Sequence, residues 1–186
     1  NHYRFEPGTL TQVDTAGQTL TLAPLHDAHG SEVLPERKLS YDYLVLATGS
    51  QSNDFGTPGV RDNCLFMDSR AQAERFRERF LNACLHANHE SKPVSVAIVG
   101  GGATGVELAA ELHHAVSMLN FYGHEHLDRK HLQVDIIEAA PRILPVLSER
   151  VSATATKRLE GLGVKVRTGV MVAEATPEAL APKDLA

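Results

Sequence analysis

Three glycines and one carboxylate carry the strongest chemical signal in this sequence. Gly100, Gly102 and Gly105 spell G-x-G-x-x-G within VSVAIVGGGATGVELAAEL, and Glu138 closes the later run QVDIIE. Residues of these types in this pattern hold a dinucleotide. A pyrophosphate needs backbone N–H groups brought close to it, and a ribose needs an acceptor for its hydroxyls. Gly100 permits a tight strand-to-helix turn, and Gly102 removes a side chain where backbone must approach phosphate. Gly105 lets helix and strand pack closely. Gly101, Ala103 and Thr104 fill the same turn, and Ala139 follows the acid. Glu138 is placed to accept from the adenosine ribose 2′-hydroxyl and to repel a 2′-phosphate, which favours NADH over NADPH. A solvated glutamate at a strand end would read the same way, and Arg142 nearby could touch a phosphate. Thr104 and Glu107 admit two compatible readings. T-x-x-E is a capping box for the nucleotide helix, and Glu107 is also a carboxylate near the nicotinamide end of a bound cofactor.

A glycine pattern alone is weak; the elements around it make this one specific. Val96 to Val99 predict a short β-branched strand. A helix follows, with Val106, Ala109, Ala110 and Val116 on its inner side. Gln133 to Glu138 predict the second strand. Residues 148–162 predict a helix with Val151, Ala155, Leu159 and Leu162 inward and Gly163 as its C-cap. Val164 to Arg167 read as a third strand and 169–174 as a short fourth. After Thr176 the Ala/Pro-rich tail carries no fold signal. The fold class expected is α/β: a Rossmann-like NAD(H)-binding domain with a parallel sheet and right-handed crossovers. One departure stands out. Glu138 lies further beyond Gly105 than the usual separation of about 20 residues, and the surplus falls in 120–131.

Upstream, Thr9 to Val13 and Gln18 to Leu22 predict a hairpin about Asp14-Thr15-Ala16-Gly17. Tyr41 to Ala47 read as a buried strand that stops at Thr48-Gly49-Ser50. Residues 50–63 form a loop and hinge. A helix starts near Asp68 or Ser69, either of which would cap it, with Phe76, Phe80 and Cys84 inward, Leu81 and Leu85 widening the stripe, and Arg75, Glu78 and Arg79 solvated. The division expected is 1–52 and 53–186.

Composition narrows the remaining classes. With 42% hydrophobic and 22% charged residues among 186, the chain has material for a core and does not read as disordered. A formal net charge of −5 argues against a nucleic-acid binder, which needs positive charge to displace counterions. No run of about 18 apolar residues reads as a membrane span. Cys64 and Cys84 read as free thiols rather than a redox pair. The ten histidines do not suggest a metal site. His113 and His114 diverge on a helix, while His124, His126 and His131 sit in a polar connection without cysteine. No G-x-S-x-G elbow suggests a hydrolase.

Taken together, YDYLVLATGS, DFGTPGV, VAIVGGGATGVELAAELHHA and IIEAAPRILP resemble the type II NADH dehydrogenases, flavoprotein NADH:quinone oxidoreductases, from about Leu10 to Thr176. The resemblance implies that residues 1–52 are a partial β-meander and returning strand of an FAD domain, whose Ala47, Thr48 and Gly49 approach the flavin. Residues 53–186 would be the NADH-binding domain, with Gly100, Gly102, Gly105 and Glu138 on NADH and Glu107 matching a family carboxylate near nicotinamide and flavin. The implied reaction passes hydride from NADH to FAD and on to a membrane quinone, the cofactors carrying the chemistry. The implied setting is cytoplasmic, peripheral on the cytoplasmic membrane face through a C-terminal part, and compatible with a homodimer. The sequence departs from the family in holding no G-x-G-x-x-G for FAD before residue 100, no second flavin motif and no membrane-anchoring helices. An internal piece of a longer protein is therefore expected, able to bind NADH but not by itself to retain FAD or reduce quinone. Related ferredoxin reductases or NADH oxidases and a non-catalytic NADH-binding module are the competing readings. A disulfide reductase is disfavoured by the missing cysteine pair.

Overall fold

A computed structural model describes residues 3–90, 93–121 and 131–184. The chain divides into two compact units, Asn1–Gly49 and Ser50–Ala186, against an expected boundary after residue 52.

The first unit is all β. Strands β1 (Leu10–Asp14), β2 (Thr19–Leu22), β3 (Leu25–His26), β4 (Glu32–Leu34) and β5 (Arg37–Ser40) form an antiparallel sheet in the order β1-β2-β5 and a separate β3-β4 ladder. The hairpin turn forms because Asp14 can fold back on itself. Its Oδ1 accepts from the N–H groups of Ala16 at 3.0 Å and Gly17 at 2.9 Å, the Asx mimic of a backbone turn. Residues 41–47 are not the strand expected of them. They lie outside any ladder, with Tyr43 95% and Val45 84% exposed. An apolar run becomes a strand only beside another strand that completes its N–H and C=O pairing. None of the unit's described strands lies beside this one.

The second unit opens with α1 (Val60–Asn63) and α2 (Arg70–Glu90). Ser69 caps α2: its Oγ accepts from Gln72 N at 3.3 Å and its carbonyl from Ala73 N at 2.9 Å. Phe80, Cys84 and Ala87 are buried, Phe76 stacks on Phe80, and Arg75, Glu78 and Arg79 are exposed as expected. Leu85 turns outward instead of widening the apolar face. Both cysteines are free thiols. The loop before α1 is tied down at long range. Pro58 O accepts from Ala175 N, and Asn63 Nδ2 donates to Ala175 O, each at 2.9 Å.

Strand β6 (Val94–Val99), helix α3 (Ala103–Phe121), strand β7 (Leu132–Glu138), helix α4 (Glu149–Leu162) and strand β8 (Lys165–Thr168) give the expected parallel sheet, in the order β6-β7-β8. Strands β9 (Val170–Ala175) and β10 (Leu180–Asp184) pair antiparallel. Strand β10 corrects the reading of a featureless tail. Thr176 N donates to Ala179 O at 2.8 Å across the turn, and a register shift between Ala181 and Pro182 admits the proline. The inner face of α4 keeps Ala155, Leu159 and Leu162 as expected but exchanges Val151 for Ser152. Ser152 and Leu159 are buried while Val151 is exposed, because Ser152 Oγ finds the Ile143 carbonyl at 2.7 Å and so enters the core at no polar cost. Ile98, Ala109, Leu112, Val116, Val134, Ile136, Ile143 and Leu159 make one core between the sheet and its helices. No helix among the described residues is long and apolar enough to cross a membrane.

Candidate dinucleotide-binding site

Strand register builds the site. Val94 stands opposite Leu132 and Val99 opposite Ile137, so the two strands end level and Glu138 comes to lie beside the turn that leaves β6. Gly100 N donates to Ile137 O at 2.9 Å, closing that corner. Helix α3 ends at Phe121, and β7 starts at Leu132 opposite Val94, the first residue of β6, so the long Gly105–Glu138 spacing still brings the acid level with the turn. The segment 122–130, with His124 and His126, lies outside the described residues.

Each glycine of the turn has its own physical reason. Gly100 has φ +110°, a conformation that L side chains resist. A Cβ on Gly105 would stand 2.1 Å from the Gly100 carbonyl oxygen, so the first turn of α3 can pack on the loop only as glycine. Gly101 is buried, and a Cβ there would meet Ile143 Cγ2 at 2.7 Å and Glu138 Cβ at 3.1 Å. Gly102 is different. It is exposed, has no positive φ, and a Cβ on it would meet nothing within 4 Å. The protein's own packing does not require that glycine.

Glu138 is half-buried and held at both oxygens. Oε2 accepts from Gly101 N and Oε1 from Ala140 N, each at 2.6 Å. Each oxygen keeps a further lone pair, so the carboxylate is a fixed acceptor at the edge of the turn, with exposed Ala139 after it. Helix α3 begins at Ala103, and Gly102 O accepts from Val106 N at 3.1 Å. Thr104 therefore sits inside the first turn rather than at the cap, which corrects the capping-box reading. The N–H groups of this first turn have no partner within the helix, and the helix dipole adds positive character there. Ala103, Thr104 and Glu107 are all exposed.

Thr48 and Gly49, assigned to the flavin and not to this turn, are exposed residues at the end of the first unit. Arg142 turns its guanidinium onto carbonyls of its own loop, with Nη1 donating to Leu144 O at 3.2 Å and Nη2 to Pro145 O at 2.8 Å. Sequence reasoning missed Ile143 and Leu144, which dock on Gly101; Leu144 N donates to Gly101 O at 2.7 Å. The apolar pair after Pro-Arg was the available hint. A shallow concavity on α4, lined by Arg150, Val151, Thr154, Ala155 and Arg158, contains none of these groups.

Comparison with known proteins adds the family. The family model for pyridine nucleotide-disulphide oxidoreductases matches residues 1–183. A type II NADH:quinone oxidoreductase of Haemophilus influenzae is 40% identical over 202 aligned positions, covering 99% of this chain and 46% of that protein. An external alternative NAD(P)H-ubiquinone oxidoreductase of Arabidopsis thaliana is 32% identical over 157, covering 80% of this chain and 27% of its own. The chain thus spans less than half the length of either. Among solved structures, NDH2 of Plasmodium falciparum in complex with NADH superimposes with a TM-score of 0.67 at 24% identity, over 94% of this chain and 35% of that one. The chain belongs to the pyridine nucleotide-disulphide oxidoreductase family, and within it resembles the type II NADH:quinone oxidoreductases.

Proposed function

We propose that residues 50–186 are the NADH-binding part of a flavoprotein NADH:quinone oxidoreductase, and that the unit before them is part of its flavin domain. The observation that carries the reading is Gly102, a glycine which neither backbone conformation nor packing requires, at the mouth of a turn that needs its other three glycines. A ligand approaching the main chain at that point explains it. The residues fit NADH. Free N–H groups at the start of α3 suit a pyrophosphate, and Glu138, fixed by Gly101 and Ala140, offers its remaining lone pairs to a ribose hydroxyl. The same fixed charge repels a 2′-phosphate, which favours NADH over NADPH. Glu107, in the second turn of α3, is the carboxylate we assign near the reacting end. Bound NADH would supply a hydride for a flavin and, through it, a quinone. The chain's own residues bind and orient; Thr48 and Gly49 would approach the flavin from the other domain.

Calorimetric titration of the full chain tests this. NADH is expected to bind with one site and more tightly than NADPH. Absence of binding by both would sink the site, and tighter NADPH binding would remove the role given to Glu138. The chain alone is expected to show no quinone reduction and to be colourless; a yellow preparation would contradict that part.

A further inference from the structure

We propose that Arg142 is a positioning residue for the dinucleotide turn, orienting the Gly102 N–H through Leu144 and the Gly101 carbonyl without itself touching the ligand. The inference rests on the reading of this turn as the NADH site. It begins from Leu144, which has φ +50°, a left-handed conformation that a bulky side chain rarely adopts. The proline that follows it disfavours helical backbone in the preceding residue as well. Such a residue persists only where its surroundings over-determine it.

Here they do. The Leu144 side chain is buried, and its carbonyl accepts from Leu147 N at 2.9 Å and from Arg142 Nη1 at 3.2 Å. Arg142 Nη2 holds the next carbonyl, that of Pro145. One planar guanidinium thus fixes two successive peptides. The left-handed turn points Leu144 N–H at Gly101 O, 2.7 Å away. That carbonyl and the Gly102 N–H belong to one planar trans peptide, so they point in opposite directions. Fixing the carbonyl toward Leu144 aims the Gly102 N–H away from it, at a residue that is itself exposed. Glu138 holds the neighbouring Gly101 N–H. Both peptides of the turn are therefore set by groups outside it.

The test compares the full wild-type chain with Arg142→Met, which keeps the aliphatic stem and loses the donors, and with Arg142→Lys, which keeps the charge but cannot span two carbonyls. Amide hydrogen exchange is read residue by residue and NADH affinity by calorimetry. In Arg142→Met the Leu144 amide should exchange about tenfold faster and NADH should bind about tenfold more weakly, while the amides of Val134 and Ile136 keep wild-type protection. Arg142→Lys should lie close to Arg142→Met in both readouts, where a residue acting by charge alone would stay near wild type. If Arg142→Met does not fold, Arg142→Lys carries both measurements. Unchanged exchange at Leu144, or wild-type affinity in a variant whose Leu144 amide has loosened, would overturn the proposal. Failure of the wild type to bind NADH would instead sink the site reading, and Leu144 exchange would still decide whether Arg142 holds the loop.

Discussion

The two units hold themselves together by different means. In the second, a continuous core runs from Phe80 through Ile98, Val116, Ile136 and Ile143 to Leu159 and Val164. In the first, Leu22 and Thr21 are the buried side chains among the described residues, each 7% exposed. Its order comes from strand ladders, the Asp14 turn and the half-buried Arg37, whose Nη1 donates to Glu6 Oε2 at 3.0 Å. The difference separates the glycine turn, which rests on that core, from the Thr48–Gly49 corner. The glycine turn needs only β6, β7 and α3, and all of them rest on the core. The Thr48–Gly49 corner follows an apolar segment without strand partners.

The most damaging way to test that contrast is to hollow out the core. Ile136→Ala, at a fully buried position, should cost about 3–5 kcal/mol of stability in a denaturant titration of the full chain. Val45→Ala, in the exposed segment, should stay within about 0.5 kcal/mol. Comparable losses from the two would erase the distinction between the units. Gly105→Ala strikes next, since its Cβ would enter the Gly100 carbonyl. It should lower stability by about 1–3 kcal/mol and NADH affinity by at least about tenfold, read by melting and calorimetry.

Glu138→Gln keeps the side chain's shape and removes its charge. The preference for NADH over NADPH should fall about tenfold; an unchanged ratio of the two affinities would deny the acid its role. Stability should fall by about 1–3 kcal/mol, because the amide NH2 must face the Gly101 or Ala140 N–H. The smallest effect concerns the thiols. Burial pushes both Cys64 and Cys84 above the ordinary thiol range, so little thiolate forms near neutrality. Cys84 is the more deeply buried, at 1% exposed. A thiol reagent at neutral pH should modify Cys64 slowly and Cys84 only on unfolding. Rapid labelling of Cys84 would mean that the core opens more readily than its packing implies.

What was legible in the sequence follows the same line. The glycine turn, its flanking strand and helix, the Gly163 cap and the Asp14 hairpin are local signals, satisfied within a few residues of where they are written. Gly163 takes φ +98° at the end of α4. The misreadings involve partners elsewhere in the chain. Residues 41–47 have the composition of a buried strand but no neighbouring strand to pair with. Strand β10 exists because β9 offers an edge, despite Pro182. Thr104 reads as a cap only if the helix starts two residues later than it does. Ser152 displaces Val151 from the core because a carbonyl waits for it in another loop. Leu144 carries no sequence mark of a left-handed residue; tertiary contacts impose it.

The central claim is that a ligand, not the fold, keeps Gly102 a glycine. Gly102→Ala in the full chain tests it by calorimetry and thermal melting together. A Cβ there meets no protein atom within 4 Å, so the melting temperature should be unchanged or slightly raised. NADH affinity should fall by about tenfold to a hundredfold. Wild-type affinity in a variant of wild-type stability would contradict the account.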